Sequence, residues 1–342
     1  MSHALIVHAT SHDPWFNLAF EAWLLEQLEQ GRYEAILYLW QNDQTVVIGR
    51  NQNAWAECKT GLLEAEGGKL ARRSTGGGAV FHDLGNLNFS IILPRRQFDT
   101  GRNFAMLLAA LQTQGITAER SGRNDILVNG LKFSGNAFSL RRLAGLHHGT
   151  LLVHSDYGRV ARYLTVSSDK LKGKGVTSVR SRITNLQAIN PHITVAALND
   201  TLETTFSSFF CAGSDWQIER AADTLFRSDG RVEELFVHYA SWTWRYGETL
   251  TFDAEISRRF DWGGVQIGFQ VRKGHVTAAR VYSDALDSDY ISCLPNLLNG
   301  CRFHSADLAA RLQTGCDPAD ELLTPRCQMA DDIGDLILDQ NW

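Results

Sequence analysis

The sequence predicts an α+β protein: a large domain on a mostly antiparallel mixed sheet with flanking helices, followed by a small C-terminal α+β domain. Three observations carry this reading. Strand-like and helix-like runs follow one another in mixed order, not as a strict strand–helix alternation. Asn129-Gly130 sits between two apolar runs, the strongest short signal for a hairpin. A second hairpin, turning at Lys273-Gly274, comes after the chain changes character near 242–247, which divides it into domains over 1–246 and 253–342.

The elements follow in order. Asp13-Pro14 supplies an N-cap and a first-turn proline, Phe16, Ala19, Trp23 and Leu24 recur at helical spacing, and Gly31 closes the helix. Residues 35–40 and 45–49 read as strands joined by the polar Q-N-D-Q. One short helix over 53–66 leads into a strand at 69–73, a glycine turn, and strands at 79–81 and 87–93. Phe104, Leu107, Leu108 and Leu111 mark an amphipathic helix ended by Gly115. Strands at 126–128 and 131–137 flank Asn129-Gly130, and 146–153 continues the sheet. The stretch 165–182 carries Lys170, Lys172, Lys174, Arg180 and Arg182 with two glycines and no acid after Asp169. Mobility when empty is expected of it, because like charges repel and little apolar surface anchors it. A helix over 194–210 precedes the C-terminal domain, where 265–271 and 275–282 pair and helical segments follow.

Composition narrows the function classes. The 342 residues are 44% hydrophobic and 21% charged, enough for a sizeable core. A formal net charge of -5 excludes a broad electrostatic grip on nucleic acid. No apolar run approaches the ~20 residues of a membrane span, and the start lacks the pattern of a secretory signal, so a cytoplasmic location is expected. The six cysteines contain no C-x-x-C and fit neither a zinc site nor a compact disulfide framework; packed thiols are expected.

The most unusual stretch is A-R-R-S-T-G-G-G-A-V-F-H-D-L-G-N, residues 71–86. Glycine loses more backbone freedom on folding than any other residue. Three in a row next to two arginines imply either a plain turn or a backbone that something anionic approaches. The familiar phosphate motifs fail: Gly173-Lys174 is followed by glycine, not Ser or Thr, and Gly76-x-Gly78 is followed at the third place by Phe81. What remains is a turn between strands whose N–H groups could cradle an anion. Arg72 and Arg73 alternate along a strand, so only one of them faces that group. Lys132, in K-F-S-G-N-A, stands beside a second glycine, Gly135, and reads either as a solvated strand residue or as a site lysine.

Taken in order, R-R-S-T-G-G-G-A-V-F-H-D-L-G-N, S-G-R-N-D, K-F-S-G-N-A, H-H-G-T-L-L and K-G-V-T-S-V-R-S-R-I-T-N-L resemble a bacterial lipoate–protein ligase A, of the biotin/lipoate protein ligase family. The resemblance runs from D-P-W-F-N-L-A to at least Leu186; W-T-W-R-Y-G suits the two-domain form, and nothing beyond Asp284 adds to it. It implies that lipoate is activated by ATP to lipoyl-AMP and passed to a specific lysine of a lipoyl carrier domain, in 2-oxoacid dehydrogenase E2 subunits or the glycine cleavage H protein. The carry-over makes 1–246 catalytic and 253–342 accessory. Arg73, Gly78, Ala79, Val80 and Phe81 would bind ATP. Lys132 would be catalytic, touching both the lipoate carboxyl and the α-phosphate, and the basic stretch would bind the adenylate. Magnesium accompanies ATP, with no protein ligand assigned and no tightly bound cofactor expected. For His82, Asn86 and His148, pocket lining and structural hydrogen bonding stand equal. Two rivals remain. An octanoyl or lipoyl transferase of the same fold needs a cysteine nucleophile, yet none lies between Cys58 and Cys211. The other is a non-catalytic acyl-binding relative.

Overall fold

The computed structural model describes residues 2–165, 183–213, 215–247, 252–314, 324–340 and 342. It divides into two compact units, one of Met1–Ile48, Ala54–Arg73 and Ala79–Tyr246, the other of Gly49–Asn53, Ser74–Gly78 and Gly247–Trp342.

The first unit contains strands β1 (Ser2–His8), β2 (Ala35–Trp40), β3 (Thr45–Ile48), β4 (Lys69–Arg72), β5 (Val80–His82), β6 (Asn86–Pro94), β7 (Glu119–Ser121), β8 (Asp125–Val128), β9 (Leu131–Leu140), β10 (Ala144–Leu152) and β11 (Trp216–Ala222). Its helices are α1 (Pro14–Glu29), α2 (Ala54–Glu57), α3 (Thr60–Ala65), α4 (Thr100–Thr113), α5 (Tyr157–Tyr163), α6 (Val195–Phe210), α7 (Gly230–Ala240) and α8 (Trp242–Tyr246). An eight-stranded sheet runs in the order β11-β1-β2-β6-β10-β9-β8-β7, and a three-stranded one in the order β4-β3-β5. Only the β11-β1 and β1-β2 pairs of the large sheet are parallel. The expected mostly antiparallel mixed sheet is what the chain builds.

Side-chain alternation divides the core between the two faces of the large sheet. Leu37, Phe89, Ile91 and Phe133 pack with Phe104 and Leu107 of α4 and Phe206 of α6. On the opposite face Leu5, Ile36, Tyr38 and Ile92 pack with Leu18, Phe20 and Leu24 of α1. Helix α1 starts where expected: Asp13 accepts hydrogen bonds from the N–H groups of Trp15 and Phe16, and Pro14 occupies the first turn. It lies between the sheet and α7, so it is buried around most of its circumference.

Two local expectations change. The single helix over 53–66 is two, because Cys58 bridges to Leu164 and the Lys59 N–H donates to the Tyr163 carbonyl instead of continuing a helical ladder. Strands β1, β7 and β11 were not expected. The second unit adds a three-stranded sheet, β12 (Ala254–Phe260), β13 (Gly263–Arg272) and β14 (His275–Ser283), with helices α9 (Ser288–Leu298), α10 (Ser305–Leu312) and α11 (Thr324–Leu338). Its own core gathers Ile267, Phe269, Leu294, Leu308 and Ile333. The β13–β14 hairpin turns at Lys273-Gly274, both at positive φ, as expected.

Candidate active site

The two arginines ahead of the glycine run do different work. Arg72 ends β4, and its guanidinium donates to the carbonyls of Trp244 and Arg245, each at 2.8 Å. Trp244 Nε1 returns a bond to the Arg72 carbonyl at 2.9 Å. Arg73 faces elsewhere, buried at 7% exposure. Its backbone N–H donates to the Ile48 carbonyl at 3.0 Å and its Nη1 to the Val47 carbonyl at 3.3 Å. Burial lowers its pKa to about 10, against the opposing pull of Glu21, so it remains a cation at neutral pH.

The glycine run is only partly the open backbone expected. Ser74–Gly78 belongs to the second unit. A Cβ on Gly76 would lie 2.0 Å from the Ala285 carbonyl oxygen, and Gly77, at φ +92, donates its N–H to that oxygen at 3.1 Å. Close packing within that unit therefore accounts for both. Gly78 differs: a Cβ there would meet nothing within 4 Å. Ala79 and Val80 are half-buried. Phe81 is a core side chain, 5.5 Å from the ring of Tyr163 and packed with Val46, Ile48 and Leu70.

Lys132 lies on β9, half-exposed, with its ammonium 2.7 Å from Asp125 Oδ1. Gly135 makes room for it: a Cβ there would lie 3.2 Å from Lys132 Nζ. The Gly135 N–H donates to Thr150 Oγ1 at 3.1 Å. Two residues back along β10, on the same face, His148 Nδ1 meets Glu21 Oε1 at 2.8 Å. The same carboxylate accepts from Ser90, which in turn accepts from Trp40 Nε1 at 3.0 Å.

His82 stands nearby. Asn42 Nδ2 approaches its Nδ1 at 3.2 Å, while its Nε2 is buried with no partner among the described residues. Burial first, then the charges of Arg73 and His148, push its pKa down to about 3. Asn86 Nδ2 donates to Asn88 Oδ1 at 2.8 Å, leaving Asn88 Nδ2 and Asn86 Oδ1 buried with no partner among the described residues. Such orphaned groups are rare in a finished core and mark places where a further partner fits.

The predicted residues thus fall on two supports. Arg73, Ala79, Val80 and Phe81 are on or next to the small sheet, and Lys132 is on β9 of the large one. The polar residues His82, Glu21 and His148 connect them, since Arg73 acts on His82 and Glu21 while His148 shares its strand face with Thr150. The basic stretch Lys170–Arg182 lies outside the described residues. Its flanks are anchored, with the Thr165 N–H donating to the Glu57 carbonyl at 2.9 Å and the Thr184 N–H to the Lys132 carbonyl at 2.8 Å. Sequence reasoning missed Glu21, Ser90 and Asp125. The available signal for Glu21 was a lone carboxylate in the apolar F-E-A-W-L-L of α1, and for Asp125 its place in S-G-R-N-D.

The arrangement offers two fixed cations and a set of orphaned polar atoms, which suits a ligand that is anionic at one end. Among the described residues no group of three or more His, Cys, Asp or Glu side chains could hold a metal ion. None of the described helices is long and apolar enough to cross a membrane.

The chain is similar to known proteins along most of its length. Residues 13–207 match the family model of the lipoyl protein ligase A/B catalytic domain. Residues 249–320 match that of the bacterial lipoate protein ligase C-terminus, which extends the likeness past Asp284. LipL1 of P. falciparum, solved in complex with lipoate, is 29% identical and superposes with a TM-score of 0.81, covering 97% of this chain and 100% of that one. A lipoate-protein ligase A bound with ATP is 26% identical over 72% of this chain and 99% of its own, with a TM-score of 0.61. A bi-partite lipoate protein ligase of Thermoplasma acidophilum, described with its E2 lipoyl domain, shares the fold at 24% identity and a TM-score of 0.61, over 74% of this chain and 100% of its own.

Proposed function

We propose, from the premise that the chain belongs to the lipoyl protein ligase A/B catalytic-domain family, that it is an ATP-dependent lipoate–protein ligase. Its first step joins lipoate to AMP: a carboxylate oxygen attacks the α-phosphorus and pyrophosphate leaves. In its second, the amine of a carrier-domain lysine attacks the carbonyl carbon, AMP leaves, and an amide forms. The carriers are lipoyl domains of 2-oxoacid dehydrogenase E2 subunits and the glycine cleavage H protein, and the enzyme works in the cytoplasm. Residues 1–246 carry the chemistry and 253–342 serve an accessory role.

The observation that carries this reading is the Lys132 ammonium lying over Gly135 beside Asp125. A compact cation held over bare backbone is suited to oxygens that gain charge in both steps. Arg73, Gly78, Ala79, Val80 and Phe81 take the nucleotide, the last four through main-chain groups or short side chains. Magnesium would accompany the nucleotide, with phosphate and water as its main ligands and no protein ligand assigned among the described residues. It would neutralise charge on the nucleotide phosphates.

A transferase acting through a cysteine is the second reading. Burial pushes the Cys58 thiol up to about 12 and the Cys211 thiol up to about 11, the opposite of what a nucleophile requires. Mass spectrometry of an apo carrier domain incubated with ATP, magnesium and lipoate tests the proposal. A gain of one lipoyl group that needs ATP and survives replacement of all six cysteines is expected. A gain that ignores ATP, or that disappears with the cysteines in a folded variant, rejects it.

A further inference from the structure

We infer that Asn136, oriented by His147, is a positioning residue that keeps Asp125 against the Lys132 ammonium; the inference rests on Lys132 acting as proposed above. Asn136 lies on β9 at 4% exposure. Its backbone N–H donates to the Asn124 carbonyl at 2.9 Å, and its own carbonyl accepts from Asn124 Nδ2 at 3.0 Å. Its side-chain Nδ2 donates to the Asn124 carbonyl at 3.0 Å and to Ser134 Oγ at 3.1 Å. A carbonyl can only accept, so the amide has one orientation, and its Oδ1 faces His147 Nε2 at 2.9 Å. That nitrogen therefore carries the hydrogen.

The imidazole has little freedom of its own. Phe89, Phe104 and Phe138 surround it with ring centroids at 5.3, 5.0 and 4.5 Å. Burial pushes its pKa well below the usual range, so it stays neutral and donates from Nε2. Opposite Asn136 in the ladder is Gly149, where a Cβ would lie 2.5 Å from Asn136 Oδ1. The glycine of H-H-G-T is thus a seat for this amide.

Asn124 immediately precedes Asp125, and the β8–β9 ladder breaks register directly afterwards, between Ile126 and Leu127. A bulge leaves local pairing under-determined. The Asn136 amide supplies the missing constraint on the ladder's outer end, just where Asp125 must stay to hold Lys132 at 2.7 Å. Three separate sequence stretches, S-G-R-N-D, K-F-S-G-N-A and H-H-G-T, are joined by this one side chain. His147 sits among the apolar residues of one sheet face, and its effect reaches the charged pair through hydrogen bonds alone.

The test combines adenylate-forming kinetics with hydrogen exchange on the full chain, for His147→Leu and His147→Gln. The glutamine amide can donate where Nε2 did, whereas leucine leaves Asn136 Oδ1 buried without a donor. His147→Leu is expected to lower kcat roughly tenfold to a hundredfold, as a small misplacement of a reacting group does, with KM for lipoate within about threefold. Amides over 122–126 should exchange about tenfold faster in it, as in a segment that opens locally more often. His147→Gln should restore both. Should His147→Leu not fold, Asn136→Ala, which removes the Nδ2 donor to the Asn124 carbonyl, is read the same way. Equal losses in the leucine and glutamine variants, or a kcat loss without faster exchange over 122–126, overturn the inference. If the unmodified protein makes no adenylate, the proposed function fails separately; unchanged exchange in the leucine variant then still overturns the positioning claim.

Discussion

At the scale of single residues, Lys132 separates the chemical reading from the structural one. Its ion pair with Asp125 is half-exposed, and such pairs contribute only ~0–1 kcal/mol. Lys132→Ala should therefore melt within a few degrees of the parent. If the ammonium stabilises growing charge, the same change costs ~100- to 1,000-fold in lipoyl-AMP formation. Arginine should not restore it, because a planar fork does not fit where a point charge lay over Gly135. A folded alanine variant that forms adenylate within a few-fold of the normal rate would falsify the assignment. The glycines give a paired test. Gly76→Ala places a Cβ 2.0 Å from the Ala285 oxygen, and should destabilise by about 1–3 kcal/mol as overpacking does. Gly78→Ala meets nothing within 4 Å and has an ordinary φ, so stability should change by less than ~0.5 kcal/mol. A raised KM for ATP in that variant, measured beside its melting curve, is the expected sign of nucleotide approach; an unchanged KM removes Gly78 from the site. The sequence could not separate these neighbours, because composition shows that glycine is needed and only packing shows which atom needs it. For the same reason Lys132 was visible beside Gly135, while Glu21 stayed hidden inside an apolar helix.

At the scale of elements, the legible parts were those with local punctuation. Helix α1 carries its cap, its proline and its closing Gly31 in sequence, and Asn129-Gly130 turns β8 into β9 with both residues at positive φ. Elements held by distant partners were not legible. The break at Cys58 between α2 and α3 depends on Leu164, more than a hundred residues away, and β11 is a largely exposed edge strand defined by its parallel pairing with β1. Arg72 belongs to this second kind. It ties β4 to α8 through the carbonyls of Trp244 and Arg245, and Trp244 answers with its indole N–H. Hydrogen bonds from a charged donor contribute ~1.5–3 kcal/mol each, and a lysine cannot span both acceptors as the fork does. Arg72→Lys should cost about 2–3 kcal/mol in urea unfolding, although the charge is kept. A loss below ~0.5 kcal/mol would mean that α8 is held by its aromatic contacts instead.

At the scale of the whole molecule, the polar groups enclosed in the first unit should make it acid-labile. His82 and His147 are enclosed; burial pushes the His82 pKa down to about 3, and His147 is likewise held well below the usual imidazole range. In the unfolded chain both return to about 6.5. Between those limits the unfolded state binds protons that the folded state refuses, so stability falls as pH falls. The contribution is complete above about pH 6.5 and shrinks on acidification by up to ~1.4 kcal/mol per pH unit for each histidine. His82 alone, acting from about pH 6.5 to 4.5, would remove ~2–3 kcal/mol, a sizeable part of the margin of a marginally stable domain, and His147 acts in the same direction. Carboxylate protonation contributes mainly below that window, which isolates the histidines. The sequence pI of about 6.1 falls inside it, so loss of soluble protein there could also reflect self-association at low net charge. Reversible urea unfolding at low protein concentration, followed from about pH 7.5 to 4.5, avoids that confusion. His82→Gln and His147→Gln should each flatten the slope by about one proton's worth, because glutamine does not titrate. A pH dependence that keeps its full steepness in the double glutamine variant would assign the acid sensitivity to other groups.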